Sequence, residues 1–158
     1  MALFPLPAAA VIRAESDLRP GQASLYYATA ADLDADIAER IAAAAVRVES
    51  QLLEAAGAVW PLVGTLTEES TRQKALATEE TAKRALVSLF TSAGQLNAAY
   101  QEKAREYERQ ADQLRLLLAS RIAGGQSSAV EPGSGSGSGT LSLTPYRVNA
   151  LGVLVVNS

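Results

Sequence analysis

The sequence predicts a mainly α protein: a small three- or four-helix bundle with an extended N-terminal arm and a C-terminal β-strand tail on a Gly/Ser linker. Apolar residues recur every three to four positions between residues 29 and 123, which is the period of an amphipathic helix. A Gly/Ser-rich stretch follows at 124–140, and an apolar, β-branched segment occupies 141–158. We therefore divide the chain into an arm (1–28), a bundle (29–123), a flexible linker (124–140) and a strand-forming tail (141–158).

The N-terminal arm is predicted to be extended. Its first residues, MALFPLPAAAVIRAESD, are similar to a secretory signal peptide, but they lack an early positive charge and Pro5 and Pro7 interrupt the apolar stretch. We therefore favour an extended arm over a signal peptide.

The first helix has a clear predicted start at Thr29, whose side chain can cap free backbone N–H groups. Asp32, Asp34 and Asp36 then place negative charge near the positive end of the helix dipole. The helix is expected to run to a C-cap at Gly57. Its apolar stripe comprises Leu33, Ile37, Ile41, Ala45, Val48 and Leu52.

Two further helices are predicted. The second begins near Thr67 and ends at Gly94, and the third begins at an Asn97 N-cap and ends at Gly124. Apolar residues of the third helix alternate at spacings of four and three, which indicates a seam of the coiled-coil kind. This seam comprises Tyr100, Ala104, Tyr107, Ala111, Leu114 and Leu118. Short loops between the helices favour antiparallel neighbours.

The tail reads TPYRVNALGVLVVNS and predicts a strand, or a bent pair of strands around Gly152. From residue 124 onward the charged residues are Glu131 and Arg147, which is unusual for a freely solvated segment. We expect the tail to pair with another subunit or a partner protein. A strand folded back on its own bundle stays open as the alternative. The predicted partner-binding residues are Tyr146, Val148, Leu151, Val153, Leu154, Val155 and Val156.

The composition argues against catalysis. The chain has no His and no Cys, so the commonest general base, the commonest metal ligand and thiol nucleophiles are excluded. We predict no enzyme, no cofactor and no metal. The net charge of -3 and the pI near 5.0 favour neither nucleic acid nor an anionic membrane as a ligand, and no apolar run reaches the length of about 18 residues that spans a bilayer.

Two features are weighed as contacts between subunits, and one of them is assigned to an interface. Charged residues of both signs flank the third-helix seam, and we assign Arg105 and Arg109 to a subunit interface, with a solvated face as the alternative. Trp60, at the bend between the first two helices, is interpreted as a core residue in preference to a binding hot spot.

Five segments taken in order resemble the head-to-tail adaptor (connector) proteins of tailed bacteriophages, and together they cover about residues 27 to 125. They are YATAADL (27–33), VESQLL (48–53), VWPL (59–62), RALVSLF (84–90) and YERQADQLRLL (107–117).

The resemblance implies a small helical bundle that forms a ring, commonly of twelve copies, in the neck of the virion. Such a ring lies beneath the portal protein, extends the DNA channel without binding DNA specifically, and offers a platform to the next neck or tail protein. The resemblance implies neither catalytic activity nor association with a membrane. The long first helix, the N-terminal arm and the Gly/Ser linker depart from the family pattern, so the neck layer and the partner of each arm stay open.

Two other classes stay open as well. The chain could be a cellular helical-hairpin protein that dimerises through the third-helix seam, or a surface assembly subunit that donates its tail to a neighbour's sheet.

Overall fold

The computed structural model describes the backbone of residues 3–130, 146–148 and 154–156. In these ranges the protein is mainly helical, which confirms the predicted class. Three long helices form the bundle, two short helices precede them, and two short strands follow. The elements are α1 (Ala9–Ser16), α2 (Pro20–Ala23), α3 (Ala30–Ala56), α4 (Thr67–Ala93), α5 (Ala99–Val130), β1 (Tyr146–Val148) and β2 (Leu154–Val156).

Helix α3 begins and ends where its capping residues predict. The Thr29 hydroxyl accepts a hydrogen bond from the backbone N–H of Asp32, and the Asp32 carboxylate accepts from the N–H of Thr29. Hydrogen bonds from the Thr29 and Ala28 backbone hold the pKa of Asp32 below its ordinary value. At the other end Gly57 adopts φ 101°, a conformation that favours glycine. All six residues of the predicted apolar stripe are buried.

Helix α4 ends before Gly94, as predicted, and Asn97 caps α5, because its side-chain oxygen accepts from the N–H of Ala99. The predicted end of α5 at Gly124 is wrong: the helix continues to Val130. A glycine inside a helix costs about 1 kcal/mol relative to alanine, so Gly124 and Gly125 weaken the helix without ending it.

The N-terminal segment is not an extended arm, because it contains α1 and α2. The prolines at 5 and 7 precede Ala8, the N-cap of α1, and leave the Ala-rich helix uninterrupted. Ile12 of α1 is fully buried against the bundle. Two ion pairs also hold α1, from Arg13 to Asp34 on α3 and from Lys83 on α4 to Glu15, each at 2.7 Å.

The bundle buries two apolar clusters, one in each half. The two clusters place the start of α3 beside the end of α4, and the end of α3 beside the start of α4 and the end of α5. Successive long helices are therefore antiparallel. We call the first half the closed half; its cluster comprises Ile12, Leu18, Ala23, Leu33, Ile37, Ile41, Ala85, Leu86, Leu89, Phe90, Ala93 and Ala104. We call the second the open half; its cluster comprises Phe4, Ala45, Val48, Leu52, Ala56, Trp60, Ala77, Leu118 and Ile122.

The strands β1 and β2 pair with each other in antiparallel register, with Tyr146 opposite Val156 and Val148 opposite Leu154. The bend expected at Gly152 lies outside the described residues, as do Leu151, Val153 and positions 131–145 of the linker and tail.

Within the ranges that the structure describes, none of the helices combines the length and the apolar character needed to cross a membrane.

Candidate interaction groove

A half-open groove of about 380 Å³ lies between α3 and α5 in the open half of the bundle. Both helices pack mainly on α4 and have fewer contacts with each other, so α4 forms the bottom of the groove. The small side chains of Ala55 and Ala119 leave space between the two walls, and longer side chains at these positions would fill the groove. The groove is lined by Val48, Gln51, Leu52, Glu54, Ala55, Glu80, Arg115, Leu118, Ala119 and Ile122.

At the bottom of the groove lies a buried ion pair on α4. The side chains of Glu80 and Arg84 are 1% and 6% exposed, and the Arg84 Nε donates to a Glu80 carboxylate oxygen at 2.7 Å. A second guanidinium nitrogen of Arg84 lies 3.3 Å from an Asp112 carboxylate oxygen on α5. Glu80, Thr81 and Arg84 form a buried polar layer on α4 between Ala77 of the open half and Ala85 of the closed half.

Burial raises the pKa of Glu80, because removal from water disfavours the charged carboxylate. The hydrogen bond from Arg84 and the positive charges of Arg84, Arg115 and Arg47 act in the opposite direction. Of these cations, Arg115 lines the groove itself. The groove therefore has walls of mixed character, with Gln51, Glu54 and Arg115 beside apolar residues, and a buried carboxyl group at its base.

Gln51 contributes a polar atom without a partner. Its side-chain oxygen is buried and accepts no hydrogen bond from any residue that the structure describes. A buried acceptor left unpaired costs about 1 to 3 kcal/mol, so this amide is suited to a donor from outside the bundle. It stands on the α3 wall of the groove.

A chain of hydrogen bonds holds the end of the open half together. The Trp60 indole N–H donates to Gln73 at 2.9 Å, and the Gln73 amide donates to Glu69 at 3.0 Å. Glu69 also accepts two hydrogen bonds from Arg121 on α5, at 3.0 and 2.7 Å. The Arg121 hydrogen bond is the main reason why the pKa of Glu69 is lowered. Trp60 is 4% exposed, so its interpretation as a core residue is confirmed.

Apolar side chains are exposed at both ends of the bundle. At the end formed by the α3–α4 loop, the exposed residues are Val59, Val63 and Leu66, of which Val63 is 89% exposed. At the opposite end, the exposed residues are Leu25, Tyr26 and Leu96, of which Tyr26 is 93% exposed. Adjacent exposed apolar residues are more informative than single ones, because they mark surfaces that partners cover.

Of the sequence-predicted site residues, Arg105 and Arg109 do not line the groove. Arg105 is exposed on α5 and pairs with Glu102 at 2.7 Å, and Arg109 is exposed one turn further along. Tyr146 and Val148 lie on β1, and Leu154, Val155 and Val156 lie on β2. Leu151 and Val153 fall outside the described residues. The interface and tail assignments stay predictions.

Sequence reasoning missed Gln51, Glu80 and Arg84. The sequence does contain a signal for the ion pair. Glu80 and Arg84 are four residues apart, and they lie on the same face of α4 as the buried residues Ala77 and Ala85. Charges on the apolar stripe of a helix indicate a buried pair. No local pattern marks Gln51, because only the gap between α3 and α5 leaves its side-chain oxygen without a hydrogen-bond partner among the described residues.

Comparisons of the chain with protein-family models, with curated proteins and with solved structures found no match in any of the three.

Proposed function

We propose that this chain is a structural subunit of a ring, the head-to-tail adaptor in the neck of a tailed bacteriophage virion. Copies of the chain, commonly twelve in such rings, surround the DNA channel. One face of the ring docks on the portal protein and the other receives the next neck or tail protein. The chain acts by assembly and not by catalysis.

The observation that carries this proposal is the exposure of large apolar side chains at both ends of one helical bundle, in addition to those exposed along α3 and α5. A subunit held between two partners buries surface at its top and its bottom, whereas a subunit of a simple dimer needs one patch. Val59, Val63 and Leu66 stand at one end, and Leu25 and Tyr26 stand at the other. The resemblance of residues 27 to 125 to the adaptor family supports the same reading.

The coiled-coil alternative has lost its main support. The α5 seam that would join two helical hairpins packs inside the chain, where Ala104, Ala111 and Leu118 are buried. A dimer through this seam would require the bundle to open. The charged outer face of α5, with Arg105 and Arg109, supplies a lateral interface that leaves the core intact.

The charge of the chain suits a DNA channel. Its net charge is -3, and each cation that neutralises a phosphate would add salt-dependent affinity for DNA. A weakly negative wall lets DNA pass without holding it.

The proposal is tested by the mass and shape of the purified chain, from light scattering and negative-stain microscopy. A closed ring of about a dozen subunits is expected, in line with the cyclic symmetry of most homo-oligomers. The double variant Arg105→Glu/Arg109→Glu should weaken the ring while the helical circular dichroism signal stays unchanged. Lys103→Glu, an exposed charge reversal on another face of α5, serves as the matched control. A monomer or a simple dimer at working concentration would rule out the adaptor role.

A further inference from the structure

The groove between α3 and α5 is a candidate docking site for part of this chain. We propose that it receives the C-terminal strand β2 (Leu154–Val156) of a second copy, so that neighbouring subunits are joined by their tails. This inference rests on the proposed function, because it requires subunits to lie side by side. It names the receiving surface, which the sequence does not indicate.

The shape and lining of the groove suit an extended apolar segment. Val48, Leu52 and Leu118 form the apolar part of the lining, between the polar side chains of the walls, and Ala55 and Ala119 leave room for side chains that enter from outside. Burial of a Val or Leu side chain in such a site contributes about 1.5 to 3 kcal/mol. The three residues of β2 are Leu, Val and Val, and their apolar side chains match this part of the lining.

The unpaired oxygen of Gln51 favours main-chain recognition. An acceptor buried on a groove wall is satisfied by an N–H group, and an extended segment presents such groups along its edge. The β1–β2 pairing uses one edge of β2, and no other described strand pairs with its second edge. Gln51 can therefore hold the strand by its backbone.

The charge of the groove suits an uncharged segment. Glu80 is paired with Arg84 at 2.7 Å, and Glu54 and Arg115, the other charged residues of the lining, have opposite signs. The groove is therefore close to neutral, and the three residues of β2 carry no charge.

The connection between α5 and β1 is long enough to reach a neighbour's groove or to return to its own, and cross-linking distinguishes the two. The last α5 residue that lines the groove is Ile122, and the helix continues eight residues further to Val130, about 12 Å beyond it. Fifteen residues, 131 to 145, then separate the helix from β1 and can span up to about 50 Å. Helix α5 thus carries the tail past its own groove, and the connection is long enough to reach the next subunit.

Cysteine cross-linking tests the proposal, and the chain is suited to it because it has no native Cys. The full-length variants Ala55→Cys and Val155→Cys are mixed, allowed to exchange subunits, and treated with a short bismaleimide. Ala42→Cys replaces Ala55→Cys in the control, because Ala42 is also an exposed alanine of α3 but lies on the far side of the helix. Docking raises the local concentration of the two thiols, so the groove pair should give roughly tenfold more cross-linked dimer than the control pair.

A second comparison tests the role of Gln51. Gln51→Ala should reduce the yield of the groove cross-link severalfold without loss of helicity, and Ser50→Ala, an exposed neighbour, should leave it unchanged. Light scattering on the same samples reports whether rings have formed.

The outcomes separate the two proposals. Rings with no cross-link above the control would overturn the groove assignment and leave the adaptor role standing. A cross-link found only within single chains, in a variant that carries both cysteines, would overturn docking between copies. A chain that stays monomeric and unlinked would overturn both.

Discussion

The closed half of the bundle packs α1 and three long helices around Phe90, whereas the open half leaves a groove between α3 and α5. In the closed half the Phe90 ring lies 5.7 Å from both the Tyr100 and Tyr107 rings, and these aromatics fill the space between α4 and α5. In the open half the groove between α3 and α5 is bordered by Ala55, Ala119 and the buried Glu80. The same three helices thus enclose a buried apolar cluster in each half, and this groove lies beside the cluster of the open half.

Aromatic rings pack in both halves, because Phe4 and Trp60 lie edge to face with ring centroids 6.4 Å apart in the open half. The open half differs in that the small side chains of Ala55 and Ala119 leave a groove beside the buried Glu80, and we propose that this groove receives a partner. If this is right, changes in the closed half should alter stability most, and changes at the groove should alter assembly more than stability.

The largest expected effect is the loss of the central aromatic residue. Phe90→Ala should lower the free energy of unfolding by about 3 to 5 kcal/mol, since it leaves a cavity among rings that cannot collapse onto it. Leu118→Ala at the groove should cost nearer to about 2 kcal/mol, because the groove is already open to solvent. Urea denaturation followed by circular dichroism measures both. Equal losses would contradict the division into a closed and an open half.

The buried ion pair should show a large effect when one partner is removed and a small one when both are replaced. Arg84→Ala leaves Glu80 buried without its partner and should cost about 3 kcal/mol. The double replacement Glu80→Leu/Arg84→Met should stay within about 1 kcal/mol of the parent chain or exceed its stability. The same denaturation curves test this. A double variant that is less stable than Arg84→Ala would show that the pair stabilises the fold.

Two carboxyl groups in the open half should respond to acid in opposite directions. The pKa of Glu69 is lowered from its ordinary value of 4.5, mainly by Arg121, so its stabilisation is present above that value and is lost as the pH falls through the lowered pKa. The pKa of Glu80 is raised by burial, so stability rises as the pH falls through the raised pKa towards 4.5. Glu69→Gln should therefore flatten the loss of stability in acid, and Glu80→Gln should remove the gain that precedes it.

Thermal denaturation at a series of pH values measures these slopes. Arg121→Ala is a second test of the hydrogen bonds to Glu69, and it should lower the free energy of unfolding by about 1.5 kcal/mol at neutral pH. If Glu69→Gln and the parent chain lost stability in acid at the same rate, the network would not be the source of the acid response.

The smallest expected effect on stability comes from the tail. Deletion of residues 141–158 should shift the melting temperature of the bundle by no more than about 2 °C, since the described members of both apolar clusters lie within residues 4 to 122. The same deletion should abolish docking between subunits or to the portal. A collapse of the helical signal would place the tail in the core of its own chain and refute its role in attachment.

Much of the fold could be predicted from local patterns. Thr29 and Gly57 cap the two ends of α3, and Asn97 caps the start of α5. The stripe from Leu33 to Leu52 is buried, as the helical period requires. Caps and periodicity are properties of short segments, so they can be read without knowledge of the rest of the chain. The α1 helix was missed because its stability comes from Ile12 and two ion pairs that reach residues more than twenty positions away.

What the sequence by itself determined is the set of long helices, their ends apart from that of α5, and their apolar faces, because backbone capping and hydrophobic period act within a few residues. What only the tertiary structure decided is where those faces meet and where they fail to meet. The burial of Glu80, the isolation of the Gln51 oxygen and the groove beside them depend on the spacing of α3 and α5 across α4, and that spacing is set by packing between residues distant in the chain.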